Sequence, residues 1–234
     1  MFKLSFNTYT AEDDYWRSSL RVQFDSPMKF LCAGDQVCLN DQYSIGNLCI
    51  NHSVDSQAIK RVGNDLADWL KIELEMLNAY CPTMLTAVHA EKYCCVSEVK
   101  RGDLRVSAIS TAGIKSNAVN VYHDRKREEE QASIGTVNII LCTNMNLTEA
   151  AMAQTLGIVY ESKTSLFYDN NWRSTYSDNI ATGTGTDSVI IASSVNAVSD
   201  QINYSGSHSI LAGMISEVVR KSIQCSVNKV RAGS

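Results

Sequence analysis

The sequence contains little proline and no segment built like a linker. Its two prolines are Pro27 and Pro82, and no stretch rich in proline, serine and glycine divides the chain. No internal repeat is present either. Because 234 residues are enough for one sizeable core, we expect a single domain over residues 1–234.

Long apolar runs are also missing. No stretch approaches the roughly 20 apolar residues that a membrane-spanning helix needs. Residues 1–8 lack the long apolar run of a signal peptide, and an acidic residue follows at Glu12. We therefore expect a cytoplasmic protein with no membrane partner.

Neither sign of charge dominates the composition. The 21 Lys and Arg residues face 25 Asp and Glu residues, which gives a formal net charge of −4 and a pI of about 5.6. A general nucleic-acid binder usually carries a basic excess that neutralises phosphates. We therefore expect no nucleic-acid partner.

The eight cysteines form no Cys-x-x-Cys pair, and the four histidines are scattered. Zinc requires clustered Cys and His ligands, so we expect no metal site. A disulfide framework is typical of much shorter extracellular chains. Cys142 follows an apolar run and Cys225 lies in a helix-like segment, which predicts buried, reduced thiols that pack as small hydrophobic groups.

The first fifty residues are typical of β-structure. Short apolar runs at residues 21–24 and 29–32 flank Asp-Ser-Pro at residues 25–27, a combination that favours a turn. Further strands are predicted at residues 104–109, 137–142 and 188–192. The last two are almost continuously apolar, as expected of strands buried on both faces.

Helical periodicity predicts helices at residues 57–77, 148–168 and 209–226. Asn146 followed by Glu149 is a capping signature for the second of them. Strands and helices alternate over the C-terminal two-thirds of the chain, which predicts an α/β fold, a single layered domain with a mixed β-sheet and flanking helices. The β-rich N-terminal region leaves an α+β arrangement as the alternative.

The most unusual stretch is Ala-Thr-Gly-Thr-Gly-Thr-Asp at residues 181–187, directly before a predicted buried strand. Glycines let backbone amides approach a ligand closely, and threonines add hydroxyl groups. No Gly-Lys-Ser/Thr follows, so this is not a Walker phosphate loop, and Ser188 stands where a dinucleotide fingerprint has its third glycine. A tight β-turn of small residues is the alternative interpretation.

Three other kinds of residue are candidates for chemistry or recognition. His208 precedes the last predicted helix and suits general acid–base catalysis, with an exposed histidine in a capping segment as the alternative. Glu161 and Lys163 lie about 200° apart around their predicted helix, so we expect no direct pairing between them. Asn117 and Asn138 either cap turns or recognise amides.

Seven segments carry a resemblance to a known family. They are residues 84–87 (Met-Leu-Thr-Ala), 111–118 (Thr-Ala-Gly-Ile-x-x-Asn-Ala), 135–140 (Gly-Thr-Val-Asn-Ile-Ile), 147–152 (Leu-Thr-Glu-Ala-Ala-Met), 161–163 (Glu-Ser-Lys), 181–187 and 206–209 (Gly-Ser-His-Ser). In this order and spacing they closely resemble the adenosylcobinamide amidohydrolase (CbiZ) family, over about residues 20–225. Each motif is weak by itself, but seven in the right order are specific.

This resemblance implies an enzyme of corrinoid salvage. Such an enzyme hydrolyses the amide that joins aminopropanol to a side chain of adenosylcobinamide and releases adenosylcobyric acid. The corrinoid is then a small-molecule substrate, and we expect no cofactor. None of the four histidines lies in the Asp-x-His-x-x-Gly pattern that places a histidine on cobalt in many corrinoid-dependent enzymes.

The catalytic hypothesis that accompanies the resemblance makes His208 the general base and later the acid, with Asp187 orienting it or polarising water. Glu161 and Lys163 are alternative proton-transfer groups. The predicted substrate-binding residues are Thr182, Gly183, Thr184, Gly185, Thr186, Asn117, Asn138 and Thr86. The amides and hydroxyls of residues 183–186 would bind the developing oxyanion. A covalent intermediate through Thr86, Thr111 or Ser207 is a further possibility.

Two other functions stay open. Ser207 stands where the family usually has Thr, and Ala212-Gly213 where a Gly-Glu pair commonly follows the histidine. The departure after His208 favours a corrinoid-binding or trafficking protein without hydrolase activity as the alternative. A third possibility is an amidohydrolase for another amide, such as that of complete cobalamins.

Overall fold

The structure, a computed structural model, describes residues 1–10, 16–33, 41–50, 83–124, 135–197 and 200–233. The helix predicted at residues 57–77 lies outside these ranges. Within them the strands are β1 (Phe2–Thr10), β2 (Trp16–Ala33), β3 (Asp41–Ile50), β4 (Thr83–Thr86), β5 (Cys95–Arg101), β6 (Leu104–Ala112), β7 (Ala118–Val119), β8 (Val137–Thr143), β9 (Gly183–Thr184) and β10 (Ser188–Ser194). The helices are α1 (Ala90–Tyr93), α2 (Glu149–Asp169) and α3 (Ile210–Ala232).

Eight strands form one mixed sheet in the order β4-β3-β2-β10-β8-β6-β5, with β1 also paired to β2. The central pair, β8 and β10, is parallel, and β3 and β4 are parallel as well. The remaining pairs in this sheet are antiparallel. Strands β7 and β9 form a separate two-stranded sheet. The predicted α/β fold with a mixed sheet and flanking helices is confirmed.

Strand β2 is longer than the sequence predicts, because the turn expected at residues 25–27 is absent. The chain continues as one 18-residue strand, and its register against β3 shifts between Gln23 and Met28. Proline has no N–H to donate to a sheet and is tolerated where pairing is irregular, so Pro27 falls within this shift. The first half of β2 pairs with β1, and the second half pairs with β10.

The central strands are buried on both faces, as their continuous apolar runs predict. In β8, Ile139 and Leu141 face the core that contains α2 and α3. Ile140 and Cys142 face a second core, which is built largely from β2. All seven residues of β8 are buried. These two cores therefore fix the position of β8 and of β10 beside it.

Both long helices begin at a side-chain cap. Thr148 caps α2 by accepting a hydrogen bond from the Ala151 amide at 3.2 Å, so the predicted capping role of Asn146 is wrong. Ser209 caps α3, accepting from the Ala212 amide at 3.0 Å. Helix α3 continues beyond residue 226 to Ala232. None of the helices in the described ranges combines the length and the apolar character that a membrane-spanning helix needs.

Helices α2 and α3 lie side by side and run in the same direction. Near their beginnings, the Ser205 hydroxyl donates to the Ala151 carbonyl at 2.6 Å. Near the end of α2, Arg220 forms an ion pair with Asp169 at 2.5 Å. Because the helices are parallel, the residues just before α3 lie beside the first turns of α2.

Cysteine pairing differs in part from the sequence prediction. Cys142 is a buried free thiol, as expected, and burial raises its pKa. Cys225, which we expected to be reduced, forms a disulfide with Cys95, with 6.0 Å between their Cα atoms. The bond joins α3 to the first residue of β5. The two cysteines are 130 residues apart in the sequence, so the spacing of cysteines along the chain does not predict that they pair.

We expect reduction of the Cys95–Cys225 disulfide to lower the free energy of unfolding by about 2–4 kcal/mol, because the bond restricts a long loop in the unfolded chain. Urea denaturation with and without dithiothreitol measures this difference. The double variant Cys95→Ala/Cys225→Ala is the control, and dithiothreitol should leave its stability unchanged. Equal stability of the native protein with and without the reductant would contradict the prediction.

Candidate active site

A buried ion pair lies at the amino-terminal end of the parallel strands. The Lys163 ammonium group, from α2, pairs with Oδ2 of Asp187, the residue directly before β10. Both side chains are only 6% exposed. Removing two charges from water is costly and is tolerated only when the charges are paired and hydrogen-bonded. The fold must therefore hold further polar groups around this ion pair.

The Asp187 carboxylate accepts hydrogen bonds from several other groups. The backbone amide of Val137 donates to Oδ1 at 3.0 Å, and the amide of Thr184 donates to Oδ2 at 3.0 Å. The Thr184 hydroxyl donates to Oδ1. Together with Lys163, these donors satisfy the buried carboxylate and hold it in one orientation.

The Thr-Gly stretch lies directly on this ion pair. Gly183 and Thr184 form β9, and a Cβ on Gly183 would meet both Asp187 Oδ2 and Lys163 Nζ. Only glycine therefore allows the backbone to approach the pair so closely. Thr184 is buried, whereas Gly185 and Thr186 are exposed. Residues 181–187 therefore contain a tight turn, which was the alternative interpretation of this stretch. The same turn also lies against the Lys163–Asp187 ion pair.

A second group of hydrogen bonds fixes the turn in place. The side-chain amide of Asn117 donates to the Gly135 carbonyl at 2.8 Å, and the backbone carbonyl of Asn117 accepts from the Gly185 amide at 3.2 Å. The Thr136 hydroxyl lies 2.7 Å from the Thr186 carbonyl and 3.2 Å from Asn138 Oδ1. Asn117 therefore bonds the turn directly, whereas Asn138 is connected to it through Thr136.

Tyr160 completes the surroundings of the ammonium group. Lys163 Nζ lies 5.0 Å from the centroid of the Tyr160 ring, one helical turn away on α2. Burial raises the pKa of the Tyr160 phenol, and the negative charge of Asp187 raises it further. The ring therefore presents a neutral, electron-rich face that favours a cation beside it.

His208 does not join this cluster. It is exposed and lies three residues after Ser205, which is bonded to Ala151 in the first turn of α2. Lys163 lies twelve residues further along that helix, about 18 Å at 1.5 Å per residue. The hypothesis that Asp187 orients His208 therefore does not agree with the structure, in which Asp187 is bonded to Lys163, Thr184 and Val137.

Two other predicted site residues also lie apart from the ion pair. Glu161 is exposed while Lys163 is buried, which agrees with their predicted separation around the helix. Thr86 ends β4, and its hydroxyl accepts locally from the Val88 amide at 3.0 Å. Thr182 does border the cluster, since its carbonyl accepts from the Thr164 hydroxyl at 3.1 Å.

Sequence reasoning missed three members of the site. Thr136 and the Val137 amide lie in the segment 135–140, of which the sequence predicts only Asn138 as a site residue, and Tyr160 directly precedes the Glu-Ser-Lys motif. The only indication of these three residues in the sequence is that they lie next to residues of the family motifs.

Among the described residues, no group of three or more His, Cys, Asp or Glu side chains is arranged to hold a metal ion.

The fold and the site together define an α/β protein with a buried acid–base cluster at the end of two parallel strands. Residues 5–233 match the model of the adenosylcobinamide amidohydrolase (CbiZ) family, and the chain belongs to that family. The prediction from the order of the seven motifs is thereby confirmed.

Two individual proteins are similar to this chain. An uncharacterised protein of Methanocaldococcus jannaschii, MJ1613, is 34% identical over 144 residues, which is 55% of this chain and 55% of that protein. The match thus spans about half the length of this curated relative. The crystal structure of the PH0078 protein from Pyrococcus horikoshii OT3 aligns with a TM-score of 0.46 and 10% identity, covering 97% of this chain and 84% of that one.

Proposed function

We propose that this protein hydrolyses the amide between aminopropanol and adenosylcobinamide, and that the reaction takes place at the Lys163–Asp187 pair. The observation that carries this proposal is the buried ion pair itself, bonded to the Thr184 hydroxyl beneath an exposed turn. Family membership supports the substrate, and the geometry supports the location.

Amide hydrolysis makes three demands on such a site. The amide carbon is a poor electrophile and the amine is a poor leaving group, so a base, an oxyanion stabiliser and an acid are needed. The Asp187 carboxylate is the base, and after accepting a proton it is the acid for the departing nitrogen. The Lys163 ammonium supplies positive charge in a buried region, where electrostatic interactions are stronger than in water.

The exposed part of the turn suits a large substrate. Gly185 and Thr186 reach solvent, whereas the charged groups remain below them. A corrin ring stays outside, and only its amide-bearing side chain has to approach the ion pair. The corrinoid is a substrate in this proposal and not a resident cofactor. A cytoplasmic location and the absence of nucleic-acid partners remain predictions from the sequence.

One assay tests the proposal against the two alternatives. The pure protein is incubated separately with adenosylcobinamide, cobinamide lacking the adenosyl group, and a cobalamin. Chromatography then measures free aminopropanol and an acidic corrinoid. We expect both products from adenosylcobinamide. Binding without conversion would favour a corrinoid-binding or trafficking protein, and conversion of cobalamin alone would favour an amidohydrolase for another amide.

A further inference from the structure

We propose that the Thr184 hydroxyl is the nucleophile and that it carries the corrinoid acyl group as an ester between two half-reactions. This inference rests on the proposed amidohydrolase function, and it names a residue that the sequence placed only among the substrate-binding groups. The alternative is direct attack by water, with Thr184 acting only as a support for Asp187.

Three groups lie in the order that nucleophilic catalysis requires. The Thr184 hydroxyl donates to Asp187 Oδ1, and Asp187 Oδ2 is paired with the Lys163 ammonium. A nucleophile bonded to a base, with the base oriented by a third group, is the general arrangement of hydroxyl-dependent acyl transfer. All three side chains are buried, so their interactions are weakly screened.

The other threonines of the turn lack a base. The Thr186 hydroxyl donates to the Gly135 carbonyl at 3.1 Å, and the Thr182 hydroxyl lies 3.3 Å from the Val119 carbonyl. A backbone carbonyl accepts a hydrogen bond but does not take the proton. Thr184 differs from both because its acceptor is a carboxylate that can become protonated.

A similar set of groups elsewhere provides a comparison. The Ser107 hydroxyl donates to Glu98 Oε2 at 3.1 Å, and Glu98 Oε1 pairs with Lys100 Nζ at 3.1 Å. There the lysine side chain is 52% exposed and the glutamate side chain 38%. In that set the carboxylate and the ammonium group face water although Ser107 is buried, whereas Asp187, Lys163 and Thr184 are all enclosed.

The two half-reactions balance without any further reagent. In the first, Thr184 Oγ1 bonds to the amide carbon while its proton passes to Asp187. The carbon–nitrogen bond then breaks, and Asp187 returns the proton to the departing aminopropanol nitrogen. In the second, water attacks the ester carbon and gives a proton to Asp187. The ester bond breaks, Thr184 recovers the proton, and the acidic corrinoid leaves.

Acid quenching during turnover, followed by mass spectrometry of the peptide that contains Thr184, tests the proposal. We expect an added mass equal to the acyl group in the unmodified protein, and hydroxylamine should divert part of the product to a hydroxamate. Thr184→Val should lose the adduct and at least about a thousandfold in kcat. Thr184→Ser should keep the adduct and part of the activity, because it retains the hydroxyl.

The control variant Ser107→Ala should keep the activity of the unmodified protein. Thermal melting of each variant shows whether it is folded, and partial rescue in Thr184→Ser separates chemistry from a structural effect. Full turnover by Thr184→Val would contradict the assignment of Thr184 as the nucleophile. Turnover by the unmodified protein without adduct or hydroxamate would contradict it as well. No aminopropanol release by the unmodified protein would instead overturn the proposed function and this inference together.

Discussion

Replacing Lys163 by Met is expected to lower the free energy of unfolding by about 3–5 kcal/mol and to abolish turnover. The change leaves the Asp187 carboxylate buried without its counter-charge, and an uncompensated buried charge is among the most costly defects in a protein. Met is similar in length, so the loss is electrostatic rather than one of packing. Urea denaturation measures the stability, and the adenosylcobinamide assay measures the activity.

A matched lysine on the surface is the control. Lys221 pairs with Glu217 at 2.7 Å, and its side chain is 65% exposed. Because exposed ion pairs contribute little, Lys221→Met should change stability by about 0.5 kcal/mol or less and leave turnover intact. Equal costs for the two substitutions would contradict the argument that the Lys163–Asp187 pair is buried and indispensable.

A double variant separates the structural role of the pair from its chemical role. Lys163→Met/Asp187→Asn removes both charges and keeps an acceptor for the Val137 amide. We expect it to recover part of the stability lost in the single variant, because no unpaired charge remains. It should not recover activity, since the amide side chain is no base. Activity in a stable double variant would place the reaction elsewhere.

The fold was predictable where the evidence is local. Continuous apolar runs predict β8 and β10, and helical periodicity predicts both ends of α2 and the beginning of α3 to within one residue, although α3 continues six residues beyond its predicted end. The exception at residues 25–27 has a physical reason: Asp-Ser-Pro favours a turn by itself, but pairing on both sides of β2 keeps the strand continuous. Tertiary pairing of this kind leaves no mark in a short sequence window.

The site was predictable as a set of residues but not as an arrangement. Family motifs pointed to Asp187, Lys163 and Thr184 individually, yet 24 residues separate the two members of the ion pair. Only the packing of α2 against the parallel strands brings them together. His208 is a reasonable candidate from the sequence because histidine is the commonest general acid–base side chain, but the chain after β10 runs towards the first turns of α2 and carries His208 there.

A single added methyl group at residue 183 is expected to disrupt the same site from the backbone side. In Gly183→Ala the new Cβ would collide with both Asp187 Oδ2 and Lys163 Nζ, and it would lie 3.2 Å from Lys163 Cε. Neither charged group can move far, since Asp187 is also held by Val137 and Thr184. We expect a loss of about 2–4 kcal/mol in stability and at least about a hundredfold in kcat.

Gly157→Ala provides the matched control, because it adds the same methyl group within α2, where a Cβ meets nothing within 4 Å. Alanine is favoured over glycine inside a helix, so this variant should gain about 0.5–1 kcal/mol and keep its activity. The two substitutions therefore predict shifts of opposite sign from one chemical change. If Gly183→Ala were as stable and active as Gly157→Ala, the turn could not be packed against the ion pair, and the reaction centre would have to be sought elsewhere.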